Sequence, residues 1–272
     1  MPPASENLVY ELKVREFQRG NKVGVSAFVR KEVMRFISVY MQTIVAPVVT
    51  TFLFYTVFSL ALGGDSRTMN NMPYMAFVLP GLIMMAMAQN AFANASSSIM
   101  IAKVQGSIVD VLMPPLSYLE IFLGYTVGAI LRGVMIGAVC IVVFAVVIGY
   151  MPQSPLILLA FSILGTSMLG VIGILGGIWA ERFDHLATVT NFIITPLTFL
   201  SGTFYSLEQL SGIWKTLAYI NPFFHMIDGF RAGMTGVSEA NIWISLLALV
   251  FTNLVLIFIT LRVLKTGYKL KS

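Results

Sequence analysis

Between Phe36 and Gly64 the chain carries no formally charged residue for 29 consecutive positions. That exceeds the roughly 20 apolar residues a helix needs to cross a hydrocarbon core about 30 Å thick. Five further stretches behave similarly: within Pro73 to about Ser98, about Ile121 to Tyr150, Leu156 to Ala180, Leu186 to Leu207, and Ala240 to Leu261. In lipid a chain must satisfy its own backbone hydrogen bonds, which for runs of this length means helices. With 57% hydrophobic and 11% charged residues, against roughly a quarter charged in soluble domains, a soluble helical bundle is set aside. The expected fold class is an all-α integral membrane protein with six transmembrane helices.

Charge placement gives the expected orientation. With six spans both termini lie on one side, and that side receives thirteen of the 17 lysines and arginines: seven before Phe36, then Lys103, Arg182 and the four from Arg262 to Lys271. The other side holds Arg67, Lys215 and Arg231, and Arg132 falls inside the third span. A thirteen-to-three bias places both termini in the cytosol. The net charge of +5 is thus a matter of topology, and nucleic acid is not an expected partner.

The organisation expected is a cytosolic tail over residues 1–24, a single transmembrane domain over 25–262 and a basic cytosolic tail over 263–272. The tail lacks the apolar core of a signal peptide. Val25, Phe28, Val29, Val33 and Phe36 share one helical face while Arg30, Lys31 and Arg35 lie largely off it, which reads as an interfacial amphipathic helix over 25–36. Lys103 to Glu120 returns to water, with Ile108, Val109, Leu112 and Met113 forming an apolar face on a short helix stopped by Pro114 and Pro115. After Tyr205, Leu207, Leu210, Trp214 and Leu217 keep an apolar stripe while Glu208, Lys215, His225, Asp228 and Arg231 arrive. Capping-box spacing at Ser206 and Gln209, then Asn221 before Pro222, predict two short re-entrant or outer-face helices at or partway into the membrane surface.

Several spans carry polar groups that lipid would not reward. Span one holds Gln42, Thr43, Pro47, Thr50 and Thr51; span two presents Asn90, Asn94 and Ser97 one turn apart; span five presents Thr188, Asn191, Thr195 and Thr198, with Pro196 among them. Each stripe has two readings: hydrogen bonding between helices, worth roughly 0.6 to 2 kcal/mol per contact, or the lining of a transport path. The glycines of span four, Gly165, Gly170, Gly173, Gly176 and Gly177, read as packing residues that let backbones approach.

Little in the sequence supports catalysis. The phosphate-binding G-x-x-x-x-G-K-[ST] pattern is absent, so an ATP-driven protein of this sequence needs its ATPase on another polypeptide. Arg132 is the one ionisable residue within a span, readable as snorkelling or helix-bridging, and the spans offer no carboxylate for proton or sodium coupling. An ATP-independent secondary transporter or a channel-like protein remains the alternative. Gly165-Thr166-Ser167 has no histidine or lysine partner within a span, Cys140 is the single cysteine, and His185 and His225 stand far apart. No catalytic set and no metal site are expected.

Three stretches carry a family resemblance. TPLTFLSGTFYSLEQLSGIW followed by INPFFHMIDGFRAG, LPGLIMMAMAQNAFANASSSI from Leu79, and DVLMPPLSYLEIFLGYTVGAILRG from Asp110 resemble type-2 ABC export permeases, in particular their NodJ/YadH-like branch, from about Arg30 to the C-terminus. The resemblance implies a permease subunit of the bacterial inner membrane that exports an amphiphile such as a lipid-linked saccharide, a lipo-oligosaccharide or a drug. It further implies two permeases assembled with two separate ATPase subunits, which would bind the ATP and magnesium. Expected ATPase contacts are Arg30, Lys31, Arg35, Gln105, Ile108, Val109, Asp110, Leu112 and Met113. Expected path-lining residues are Gln42, Asn90, Asn94, Ser97, Thr188, Asn191, Thr195 and Thr198.

Overall fold

A computed structural model of the chain describes residues 21–61, 68–70, 72–112, 114 and 116–269. Most of the N-terminal tail, the Asp65 to Arg67 loop, Met113, Pro115 and Lys271 lie outside these, as does the side chain of Leu112.

The architecture is all-α. Helix α1 spans Lys22–Ile37, its amino end capped by the Asn21 carboxamide, which accepts from the Gly24 amide at 2.8 Å. A π-helical turn, Met41–Val45, runs directly into α2, Ala46–Ala61, completing the first span. A two-residue antiparallel ladder, Thr68–Met69 with Met72–Pro73, precedes α3, Tyr74–Val104. The short α4, Ile108–Leu112, ends before Pro114. Helix α5, Tyr118–Ile148, starts on a reciprocal capping box between Ser117 and Glu120. Helix α6, Pro155–Trp179, follows, and α11, Ile242–Thr266, closes the fold.

Among the described residues five helical segments are long and apolar enough to cross a membrane: Met41–Ala61, α3, α5, α6 and α11. The segment expected as the fifth of six spans is shorter than its uncharged run of 22 residues, Leu186 to Leu207. It consists of α7, Phe183–Val189, a π turn, Thr190–Ile194, and α8, Thr195–Phe199, of seven, five and five residues. At 1.5 Å per residue that is about 25 Å of helix. The small polar run Ser201-Gly202-Thr203 accounts for the early end, since Gly202 adopts a left-handed φ of 71° that does not continue a helix.

The core is built by α3, α6 and α10, Pro222–Thr235. Gly173 and Gly177 set the closeness of α3 and α6: a Cβ on Gly173 would stand 2.6 Å from the Phe92 carbonyl oxygen, and one on Gly177 would stand 3.0 Å from that of Ser96. The packing reading of these glycines therefore holds.

Helix α10 takes the inserted one of the two placements that the sequence leaves open. Every residue from Phe223 to Thr235 is buried, so it inserts into the bundle rather than lying on a surface. Its two formal charges cancel: Arg231 lies 3.7 Å from Asp228, one helical turn away. The Asp228 carboxylate also accepts from the amides of Glu239 and Ala240 and from Ser238 Oγ. The neighbouring α9, Ile213–Ile220, is exposed at every residue but Ala218, including Ile213, Trp214, Leu217 and Ile220.

Candidate functional site

The first span, α3 and the end of α8 enclose a groove of about 340 Å³. Gln42, Gln89 and Asn90 supply its polar wall; Phe54, Phe58, Phe199 and Phe204 supply an aromatic one. The rings form a chain across the two spans: Phe58 to Phe204 at 5.1 Å between centroids, and Phe204 to Phe199 at 5.4 Å. An opening with one apolar and one uncharged polar side is suited to an amphiphile, whose tail and headgroup need opposite surroundings. The sequence analysis did not single out these phenylalanines, although Phe54 and Phe58 stand one turn apart and share a helical face.

The Asn90, Asn94 and Ser97 stripe receives two arginines from different helices. From α5, Arg132 donates to Asn90 Oδ1 at 2.8 Å. From α1, Arg35 donates to the Asn94 carbonyl oxygen at 2.7 Å, to Asn94 Oδ1 at 2.9 Å and to Ser97 Oγ at 3.3 Å. Arg35 also pairs with Glu32 at 3.2 Å, and Glu32 is wholly buried, accepting from Ser98 Oγ at 2.7 Å. Further hydrogen bonds on both partners offset the cost of burying Glu32, although Arg35 Nε is left without one. Glu32 also went unnamed in the sequence analysis. Its signal was its spacing: it sits four residues after Phe28 and four before Phe36, on the apolar face of α1.

Helix α1 is seated on α5 through two glycines. A Cβ on Gly124 would enter the Phe28 ring, and one on Gly128 would stand 2.8 Å from Glu32 Cβ. Helix α1 is therefore locked to α5 by shape and to α3 by the Arg35 and Glu32 bonds.

The span-five stripe is separate from the other. Thr188 and Asn191 are exposed, Thr195 is half-buried and Thr198 is buried. Thr188 Oγ1 donates to the Asp184 carbonyl at 2.8 Å, and Thr198 Oγ1 to that of Ile194 at 2.9 Å, both within their own helix. Asn191 stands beside exposed Phe192 on the outside of this single chain.

Among the expected ATPase contacts, Arg30, Lys31, Gln105, Val109 and Asp110 are exposed, whereas Ile108 is buried and Arg35 turns inward as described. The structure brings α1 and the α4 loop together: Phe28, Lys31, Asp110 and Leu116 line one shallow pocket of about 260 Å³. The Asn21 amide also donates to Glu120 Oε1 at 2.5 Å, joining the start of α1 to the start of α5. Lys103 caps the end of α6, donating to the carbonyls of Ile178 and Ala180 at 2.8 and 2.6 Å.

At the opposite end, Arg231 is buried and committed to structure. It donates to the carbonyls of Phe77 at 3.1 Å and Gly202 at 2.6 Å, and its guanidinium lies 3.7 Å from the Phe77 ring centre. His225 Nε2 lies 2.8 Å from the Tyr219 carbonyl oxygen, so that nitrogen carries the proton and Nδ1 accepts from Ser245 Oγ at 2.9 Å. No group of three or more metal-ligating side chains occurs among the described residues.

Residues 24–235 match the family described as ABC-2 type transporter. The inner membrane transport permease YadH of Escherichia coli (strain K12) is 35% identical over 217 residues, covering 80% of this chain and 85% of that protein. Nodulation protein J of Sinorhizobium fredii is 23% identical over 176 residues, covering 64% of this chain and 66% of that protein.

Proposed function

The chain belongs to the ABC-2 type transporter family and is a membrane subunit of an ABC transporter; from that premise we propose that it is the permease of an ATP-driven exporter of an amphiphile. Its cargo would be a lipid-linked saccharide, a lipo-oligosaccharide or a hydrophobic drug. The observation that carries this reading is the groove, where Gln42, Gln89 and Asn90 face a wall of phenylalanines. Energy would come from a separate ATPase subunit, since the sequence has no phosphate-binding loop of its own. Two copies of the permease would work with two ATPases in the bacterial inner membrane, six spans each, with both termini cytosolic. The domain division at about residues 24 and 262 belongs to the same proposal.

Within this scheme the polar residues take different parts. Gln42 and Asn90 line the groove and would meet cargo. Asn94 and Ser97 hold α1 and would pass its movement into α3. Thr188 and Asn191, which are exposed on this single chain, would form a seam with the second copy, bonded when the path is closed and hydrated when it opens, because exposed polar groups in lipid require such partners, while Thr195 and Thr198 would back that seam from within. Arg30, Lys31, Gln105, Val109 and Asp110 flank the α1 and α4 pocket and would receive the ATPase.

The test is reconstitution of the permease with its ATPase in vesicles. Val109→Asp should abolish co-purification of the ATPase and ATP-driven export while leaving the permease folded. Full export by the purified permease with no ATPase present would sink the proposal.

A further inference from the structure

Arg132 is the feature this scheme leaves unexplained. It sits near the middle of the 31-residue α5, far from either end of the helix, and is 8% exposed. A snorkelling arginine would reach an interface; this one reaches sideways to Asn90. Its Nε has no hydrogen-bond partner, and the ion pairs found among the described residues do not include it. Arg35, which meets the same face of α3 one turn away, has its charge offset by Glu32. Among the described residues no carboxylate pairs with Arg132, and its hydrogen bond goes to the Asn90 carboxamide.

A buried cation of this kind is costly and is retained where something uses it. Asn90 is the link: it holds Arg132 on one side and lines the groove on the other. Arg132 does not line the groove itself but stands behind Asn90, so a headgroup resting on Gln42, Gln89 and Asn90 would have the guanidinium one side chain away. Guanidinium presents a planar fork of donors suited to phosphate and carboxylate oxygens. The aromatic wall formed by Phe54, Phe58, Phe199 and Phe204 would take an acyl or polyprenyl tail.

The geometry points to an anion-recognition site at Asn90 and Arg132, which makes the cargo an amphiphile with a phosphate headgroup. This rests on the groove being the cargo site, as proposed above, and narrows its chemistry: neutral and cationic amphiphiles are disfavoured.

The experiment uses the full-length chain in phosphatidylcholine nanodiscs, with binding measured by thermophoresis. The probes are monododecyl phosphate, uncharged 1-dodecylglycerol and inorganic phosphate. Wild type should bind dodecyl phosphate about tenfold more tightly than dodecylglycerol, the size of one charge-assisted hydrogen bond. Inorganic phosphate should bind far more weakly than dodecyl phosphate, and equal affinity would overturn the amphiphile assignment. Arg132→Gln should erase the tenfold preference. Asn90→Asp should erase it too, because its carboxylate neutralises Arg132 while preserving the bond between α3 and α5; this variant decides the matter where Arg132→Gln does not fold. Equal affinity of wild type for the two dodecyl probes would overturn the inference, as would a preference that survives in Asn90→Asp. A loss that falls equally on both dodecyl probes in Arg132→Gln would mark Arg132 as a structural tie and overturn it as well. ATP-driven export that proceeds without any phosphate preference would remove this inference and leave the exporter reading standing.

Discussion

The first span and α3 are similar in sequence terms, both apolar and both long enough to cross a membrane, yet the protein treats them differently. Of the most apolar stretch of α3, 72% is buried inside the protein; of Met41–Ala61, 11% is. Helix α3 is held on all sides, by α6 through Gly173 and Gly177, by α10 through Arg231, and by α1 and α5 through Arg35 and Arg132. The first span and the α7 to α8 segment carry a shared feature that the held helices lack. Each contains a five-residue π turn closed by an i to i−5 bond, from Ala46 to Met41 and from Thr195 to Thr190, with a proline immediately after, Pro47 and Pro196. A proline ring clashes with the carbonyl four residues earlier and supplies no amide hydrogen, and a widened turn relieves both problems. Of the three segments that border the groove, α3 belongs to the held helices, and the first span and the α7 to α8 segment are the two that carry a π turn. The difference separates a rigid frame from two movable walls.

The largest expected effect comes from breaking the frame where charge is buried. Arg231→Ala removes two carbonyl bonds and strands Asp228, which has no access to water. Loss of one partner of a buried pair costs about 3–5 kcal/mol. Denaturant titration in detergent should show that loss. A change under about 1 kcal/mol would mean that α10 is not part of the frame.

Next comes the α3 to α6 contact. Gly173→Val places a Cβ 2.6 Å from the Phe92 carbonyl oxygen, which is helix backbone and cannot swing away. Forcing the helices apart should cost about 1–3 kcal/mol. The matching control lies in the movable wall: Phe192→Ala removes a side chain that is 78% exposed and should leave stability unchanged in detergent. If the two variants melt alike, the division between frame and wall fails.

The prolines test the walls themselves. Pro47→Ala and Pro196→Ala restore an amide donor and remove the clash that the π turns accommodate, so each should hold or raise the melting temperature. Export with the ATPase should nevertheless fall, because a straightened span bends less readily. Unchanged export in both variants would show that the π turns are packing adjustments and have no part in movement.

How much of this was legible beforehand follows the same division. Five of the six expected spans and the small-residue face of α6 could be read, because hydrophobic length and glycine spacing are local properties. The polar stripe at Asn90 and Asn94 could also be read, but its partners could not: Arg132 and Arg35 arrive from α5 and α1, 42 and 59 residues away in sequence. For α10 the sequence leaves a surface and a re-entrant placement open, because Asp228 and Arg231 each count as a full charge in a linear reading, whereas three residues apart on a helix they neutralise one another. The π turns leave no residue signature beyond the prolines that follow them, Pro47 and Pro196.

The smallest effect is expected where α7 meets the end of α11. Lys269 Nζ lies 2.7 Å from Glu181 Oε1, and the pair is exposed. Lys269 holds the Glu181 carboxyl below its usual value by a direct hydrogen bond, and Glu181 raises the Lys269 ammonium by the same bond. The signs place the pair's contribution on a plateau. Any stability from Glu181 is present above the ordinary glutamate range and is lost as pH falls through its lowered value. Any stability from Lys269 is present below the ordinary lysine range and is lost as pH rises through its raised value. Exposed pairs of this kind are screened by salt and contribute little. If the α7 to α8 wall is as free as the comparison holds, Lys269→Ala should leave the melting temperature at neutral pH within experimental error, in low salt and in high. A clear drop confined to low salt would show that this end of the wall is anchored electrostatically, and the movable part would then shrink to the stretch beyond the π turn at Thr190.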